Sequence, residues 1–300
     1  MIVIHVLVSV AINLLAQKNI TFPVEISLVL SELTILIPAF IYALKKNLSF
    51  TNDIGFKPVK VSTFFMCILL SFLVTPISSF VNVLSQLFVS NTMVAAADTL
   101  SSGSGVAVLF LGAVYGPLCE EFVFRGVFDN RYERFAGPLT AGLVSALYFA
   151  LIHLNVNQAM YTFVLGVIFS IINRAAGSIF PSVIIHACIN GGNIALLLLL
   201  TSVYKTLGKE GDIVASAEAA RKSDAVYILA GATFVTALIC TAIAVPCVVF
   251  VAKNEGRLDT FRKMFTKNQE EKHRWFTVSA AIAIGFALFV MFGLKMLLPS

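Results

Sequence analysis

Apolar residues come in long runs along this chain, separated by short polar stretches in which most of the charge collects. Nine runs stand out, at roughly 2–16, 24–44, 61–89, 105–134, 138–155, 158–173, 178–204, 225–252 and 276–298. A helix rises about 1.5 Å per residue, so about 20 apolar residues cross a hydrocarbon layer of about 30 Å. Strand-like alternation is missing, and in lipid a backbone must satisfy its own polar groups, which helices do. The pattern therefore predicts an all-α, polytopic transmembrane bundle of about eight or nine helices. The first run is short. The fourth ends in a polar, amphipathic segment, so its membrane part should stop near residue 128. No repeat of fixed period occurs, and no hydrophilic stretch is long enough for a separate domain. Residues 1–300 read as one integral membrane domain.

Composition agrees. The chain is 58% apolar and 12% charged, against roughly 45–50% and about 25% in soluble domains. The net charge of +5 sits in short loops between apolar runs, which argues against a nucleic-acid partner and for the bias that sets membrane orientation. With nine helices, four basic regions fall on one side: Lys45, Lys46, Lys57 and Lys60; Arg125, Arg131 and Arg134; Arg174; and Lys253, Arg257, Arg262, Lys263, Lys267, Lys272 and Arg274. That side should be cytoplasmic, with the N-terminus inside and the C-terminus outside of the cell membrane. The 205–224 region on the other side is mixed, with Glu210, Asp212, Glu218 and Asp224 offsetting Lys205, Lys209, Arg221 and Lys222. The Ile2–Ala16 stretch has neither a charged leader nor a small-residue cleavage site and reads as a retained helix. Cys67, Cys119, Cys188, Cys240 and Cys247 lie in or beside apolar runs without a CxxC pair and read as packing residues.

Three polar clusters interrupt the apolar pattern, and ionisable groups within membrane helices usually mark function. The first is Glu120-Glu121-Phe122-Val123-Phe124-Arg125-Gly126. Glu121 and Arg125 share a helical face, glutamate first, the better order for a pair. Glu120 points about 100° away and is free for other work. Pro117 predicts a kink just before it. The second cluster is Phe149-Ala150-Leu151-Ile152-His153, and the third is His186-Ala187-Cys188-Ile189-Asn190, whose polar ends share a face. Each taken alone also fits a structural hydrogen bond or ion pair. Depth brings them together. About the Gly137-Pro138 turn, Glu120 and His153 lie at one level, each about 25 Å up a helix, and His186 lies about 15 Å above the 175–177 turn. A carboxylate with an imidazole can activate water, and a histidine with an asparagine amide can stabilise an oxyanion. Glu120, His153 and His186 can alternatively be wired as a zinc site. There is no HExxH helix, no GxSxG elbow and no aspartate pair within the helices.

The segments EEFVFRG, FALIHLN and HACIN resemble the motif series EExxxR, FxxxH and HxxxN of the CAAX-protease and bacteriocin-processing family, the type II CAAX prenyl endopeptidases. The resemblance covers about 115–195, which becomes the expected catalytic core. It implies a conical catalytic cavity formed by helices four to seven. It implies Glu120 and His153 as the water-activating pair, His186 and Asn190 as oxyanion donors, and Glu121 with Arg125 as support. It implies a metal-independent glutamate protease with no cofactor, zinc being the alternative. The expected partners are membrane lipids and a membrane-associated or lipid-modified peptide or protein. The site is expected to face the cytoplasm, and the short chain suggests a bacterial source. Two other readings stay open: a transporter whose polar cluster binds substrate or proton, and a non-catalytic peptide-binding or immunity protein.

Overall fold

The computed structural model describes residues 1–209, 212–265 and 278–293, and every ordered element within them is helical. All nine apolar runs are helices. They are α1 (Ile2–Gln17), α2 (Val24–Lys45), α3 (Val61–Ser85), α6 (Gly105–Ala136), α7 (Pro138–Leu151), α8 (Val156–Ala176), α9 (Phe180–Thr206), α11 (Ala225–Asn254) and α13 (Val278–Leu288), the last continued by a wider π turn, Phe289–Gly293. Short helices fill the connections: α4 (Thr92–Ala95), α5 (Ala97–Ser101), α10 (Asp212–Arg221) and α12 (Leu258–Lys263). Six of the nine, namely α2, α3, α6, α8, α9 and α11, are long and apolar enough to cross a membrane. The chain is a multi-pass membrane protein. Large apolar side chains such as Phe65, Phe72 and Ile228 lie exposed on the outer faces of these helices, where lipid covers them. Glu210, Lys267, Lys272 and Arg274 lie outside the described residues, as do both ends of the ninth predicted helix.

Local chemistry sets the boundaries around the motifs. Gly137, at φ 73°, makes the turn out of α6, and Pro138 occupies the first turn of α7, where its missing N–H costs nothing. The fifth predicted helix is shorter than expected. Leu154 takes a left-handed conformation (φ 53°), and the Asn155 side chain caps α8 by accepting from Gln158 N at 2.8 Å. His153 therefore sits in the turn after α7, not inside a helix. Gly177, at φ 72°, ends α8.

Packing is closest where side chains are smallest. A Cβ on Gly142 would lie 2.5 Å from Ser170 Oγ, and one on Gly166 would lie 2.8 Å from Ala146 Cβ, so α7 and α8 approach backbone to backbone. At the basic end, the π turn Phe50–Ile54 docks on α6. Asn130 Nδ2 donates to Ile54 O at 3.0 Å, and Arg134 pairs with Asp53 at 2.5 Å. The Ser49 N–H, and then Arg134, hold the Asp53 carboxyl below its ordinary range. At the opposite end, α4 and α5 form a strap from α3 to α6 where the sequence reads as a loop. Thr92 N donates to Asn157 Oδ1 (3.0 Å), and Ser104 N donates to Glu25 Oε1 (2.7 Å).

Candidate active site

Helix α6 is not a uniform α-helix. Wider π segments, Leu111–Tyr115 and Phe122–Asp129, flank the α-helical turn Gly116–Glu121 that carries both glutamates. Pro117 cannot donate to the ladder, and the disruption expected there takes the form of a π turn immediately before it. Ser145 Oγ donates to Phe124 O at 2.6 Å and satisfies a carbonyl in the second π segment. Gly126 is needed for close approach, because a Cβ there would lie 2.5 Å from Ile54 Cγ2.

Glu121 and Arg125 form the expected pair, with Nη1 3.0 Å from Oε1 and both side chains almost wholly buried. Two partners were not foreseen. Glu121 Oε1 also lies 3.0 Å from His186 Nδ1, and the Arg125 guanidinium carbon lies 4.3 Å from the centre of the Phe149 ring and 5.2 Å from that of Phe169. Phe149 thereby shields the arginine, and its ring edge-packs on His153 at 5.2 Å and on His186 at 5.8 Å. The phenylalanine of the second motif is the side chain around which the charged groups assemble.

Glu120 points away from that pair into a cavity of ≈ 550 Å³. Its Oε2 lies 3.5 Å from His186 Nε2. His153 Nδ1 donates to Phe149 O at 2.9 Å, which makes Nδ1 the protonated nitrogen and leaves Nε2 as an acceptor. Asn190 Nδ2 donates to Gly112 O at 3.3 Å. Glu120, His153, His186 and Asn190 all line this cavity, so all four predicted residues meet. Glu120 and His153 make no contact within 4.0 Å, while Glu120 and His186 do.

The cavity wall is wider than expected. It is not confined to helices four to seven, because His5 and Ser9 of α1, Glu32 of α2, Ser78 of α3, and Thr92, Met93 and Ala96 of the strap also line the cavity. Glu32 and His5 were missed in the sequence. His5 spans Thr34 Oγ1 (2.6 Å) and Ile152 O (2.8 Å), tying α1 and α2 to the turn that carries His153. The cavity also extends toward the strap, away from Arg131, Arg134 and Arg174. A separate cavity of ≈ 690 Å³ occupies the basic end, lined by Arg134, Arg174 and Arg257, and Arg125 reaches it from the other side. Arg174 does not mark a free surface. It is bound at 2.5 Å to both Asp129 and Glu133, and its side chain is 12% exposed.

His186 is engaged at Nδ1 by Glu121, His153 is engaged at Nδ1 by a carbonyl, and the described residues contain no group of three His, Cys, Asp or Glu side chains placed to hold a metal ion.

Residues 102–192 match the family model of the Rce1-like type II CAAX prenyl endopeptidases. No curated protein and no solved structure matches the chain. The matched span takes in all three motifs and every residue of the Glu120–Glu121–Arg125–His153–His186–Asn190 group, and with them it implies peptidase activity in the membrane. Over residues 102–192 the chain thus matches the domain of the Rce1-like type II CAAX prenyl endopeptidases, consistent with the CAAX-protease and bacteriocin-processing family.

Proposed function

We propose that this protein is an intramembrane endopeptidase that hydrolyses a peptide bond in a membrane-anchored or lipid-modified peptide or protein, using Glu120 and His153 to activate water. The observation that carries this reading is the approach of Glu120 to His186 at 3.5 Å in a cavity shared with His153 and Asn190. Glu120 takes a proton from a water held between it and His153 Nε2, and the hydroxide adds to the scissile carbonyl. With Nδ1–H given to Glu121, a second proton on His186 makes the ring an imidazolium. Glu120, Glu121, Arg125 and His186 then balance to zero charge, and Nε2–H is available to the oxyanion together with the Asn190 amide. Collapse of the intermediate breaks the C–N bond, and the proton held by Glu120 passes to the leaving amine. As proposed, the step needs no metal.

We infer that substrate enters from the strap side, whereas the loop charges predict a cytoplasmic opening. What supports it is the run of the cavity from Glu120 toward Thr92, Met93 and Ala96, at the end opposite the basic loops. The apolar share of the same wall, including Leu28, Ile35, Met93 and Ile194, suits an acyl, prenyl or transmembrane anchor, each buried methylene adding about 0.8 kcal/mol. The test is incubation of the purified protein with a peptide library in detergent, with products read by mass spectrometry for wild type and Glu120→Ala. Defined cleavages in the wild type alone are expected. No cleavage by either protein, or the same cleavage by both, would overturn the proposal in favour of a transporter or a peptide-binding protein.

A further inference from the structure

A second carboxylate faces the catalytic cavity without a partner. Glu32 of α2 lines the cavity with Glu120. Its Oε2 is shielded from solvent and makes no hydrogen bond, and no Lys, Arg or His nitrogen lies within ion-pair distance of it. Glu121, on the neighbouring helix, has both Arg125 and His186. The contrast matters because a carboxylate shut away from water without a cation or a donor is destabilising. Such a group persists in a cavity wall when something that enters the cavity completes it. The rest of the wall points the same way, since the lining side chains include two carboxylates, Glu32 and Glu120, and no lysine or arginine.

Gly116 sets the position of Glu32. A Cβ on Gly116 would lie 3.7 Å from Glu32 Oε1, so the carboxylate rests against the α6 backbone one turn before Glu120. The four residues from Gly116 to Glu120 rise about 6 Å along the helix. An extended peptide advances about 3.3 Å per residue, so that offset spans about two residues.

We propose that Glu32 is a specificity residue that binds a cationic group of the substrate, an ammonium or guanidinium, within about two residues of the scissile bond. The proposal rests on the peptidase reading for the meaning of "scissile", but the binding it asserts does not require turnover.

The experiment uses the full-length protein in detergent and anchored peptides scanned with a single Lys, each compared with the same peptide carrying acetyl-lysine at that position. Binding is read by fluorescence anisotropy and cleavage by kcat/KM. At one or two positions, wild type should bind the Lys peptide about tenfold or more tightly, the scale for a buried charge pair. Glu32→Gln should abolish that preference while binding the acetyl-lysine peptide as wild type does, and Glu32→Asp should restore part of it. Equal binding of both peptides by wild type at every position would overturn the proposal without any variant being needed. So would a Glu32→Gln protein that keeps the preference or loses both peptides equally. A wild type that prefers Lys but cleaves nothing would support the cation site and sink the peptidase reading instead.

Discussion

The buried pair at the centre of the site makes a quantitative prediction. Glu121→Gln leaves the Arg125 guanidinium, 1% exposed, with no anion, since none of its nitrogens has a hydrogen-bond partner in the structure. The Phe149 and Phe169 faces offset part of that loss, about 0.5–2 kcal/mol. Removing one member of a buried pair costs about 3–5 kcal/mol. Arg125→Met should cost less than Glu121→Gln, because Glu121 keeps His186 Nδ1 at 3.0 Å. The double variant leaves no orphaned charge between them, and methionine packs well against the two rings. Its stability should return to within about 1–2 kcal/mol of wild type, a coupling of about 2 kcal/mol or more. Thermal unfolding in detergent reads this as a fall of about 10 °C for Glu121→Gln, at about 2–4 °C per kcal/mol, with substantial recovery in the double variant. Additive losses, or a Glu121→Gln protein as stable as wild type, would refute the pairing argument. A stable but inactive Glu121→Gln protein would show that the roles of the two glutamates are exchanged.

Glu120→Gln preserves shape and removes the proton acceptor, so kcat should fall by about 10²–10⁴ with thermal stability unchanged; near-normal turnover would remove Glu120 from the mechanism. Gly126→Ala forces a methyl group to within 2.5 Å of Ile54 Cγ2 and should cost about 1–3 kcal/mol in unfolding experiments, whereas no loss would mean the 50–54 turn does not dock tightly. Prolonged chelation with EDTA or phenanthroline should leave hydrolysis intact; loss on chelation and recovery with zinc would reinstate the metal site. Thr99→Cys, exposed on the strap, should react with an impermeant maleimide added outside intact cells, and Lys46→Cys only after permeabilisation; the reverse pattern would invert the topology.

Much of this was legible because lipid leaves so few solutions. An apolar run such as 180–206 can only be helical, and helical geometry then converts sequence separation into depth, which is why spacing alone brings Glu120, His153 and His186 to one level. Where local chemistry overrides periodicity, the sequence was less informative. The strap at 92–101 packs Met93, Ala97 and Leu100 inward, but it is too short for a helical period to stand out, and its short helices depend on Asn91 capping and on bonds to Asn157. The second bond of Glu121, to His186, joins residues 65 positions apart, and no local spacing announces it. Glu32 did carry a signal. A lone carboxylate within an apolar helix asks for a partner, but Glu32 belongs to no motif, and its meaning depends on the absence of a lysine or arginine from the cavity wall. Charge bias orients loops. It carries no information about which end of the bundle a cavity opens toward.

The arrangement of the two cavities gives the Glu121–Arg125 pair a consequence beyond stability. Arg125 reaches the basic-end cavity, while Glu120, one residue before its partner, faces the other. The pair, with Phe149 and Phe169 closed over it, forms the floor between them. Below that floor the charges are largely used internally, Arg174 with Asp129 and Glu133, Arg134 with Asp53. Above it lie Glu120 and Glu32, neither bound to an arginine or lysine. Under the proposed mechanism, a substrate that reaches Glu120 from the strap side must pass the level of Glu32 first, since Glu32 stands beside Gly116, one turn nearer the strap along α6. A cation carried by the substrate therefore meets a carboxylate before the scissile bond meets water. A substrate without one leaves that carboxylate unpaired, as it is before binding. Selectivity then arises from the charge pairing that only a cationic substrate supplies at Glu32.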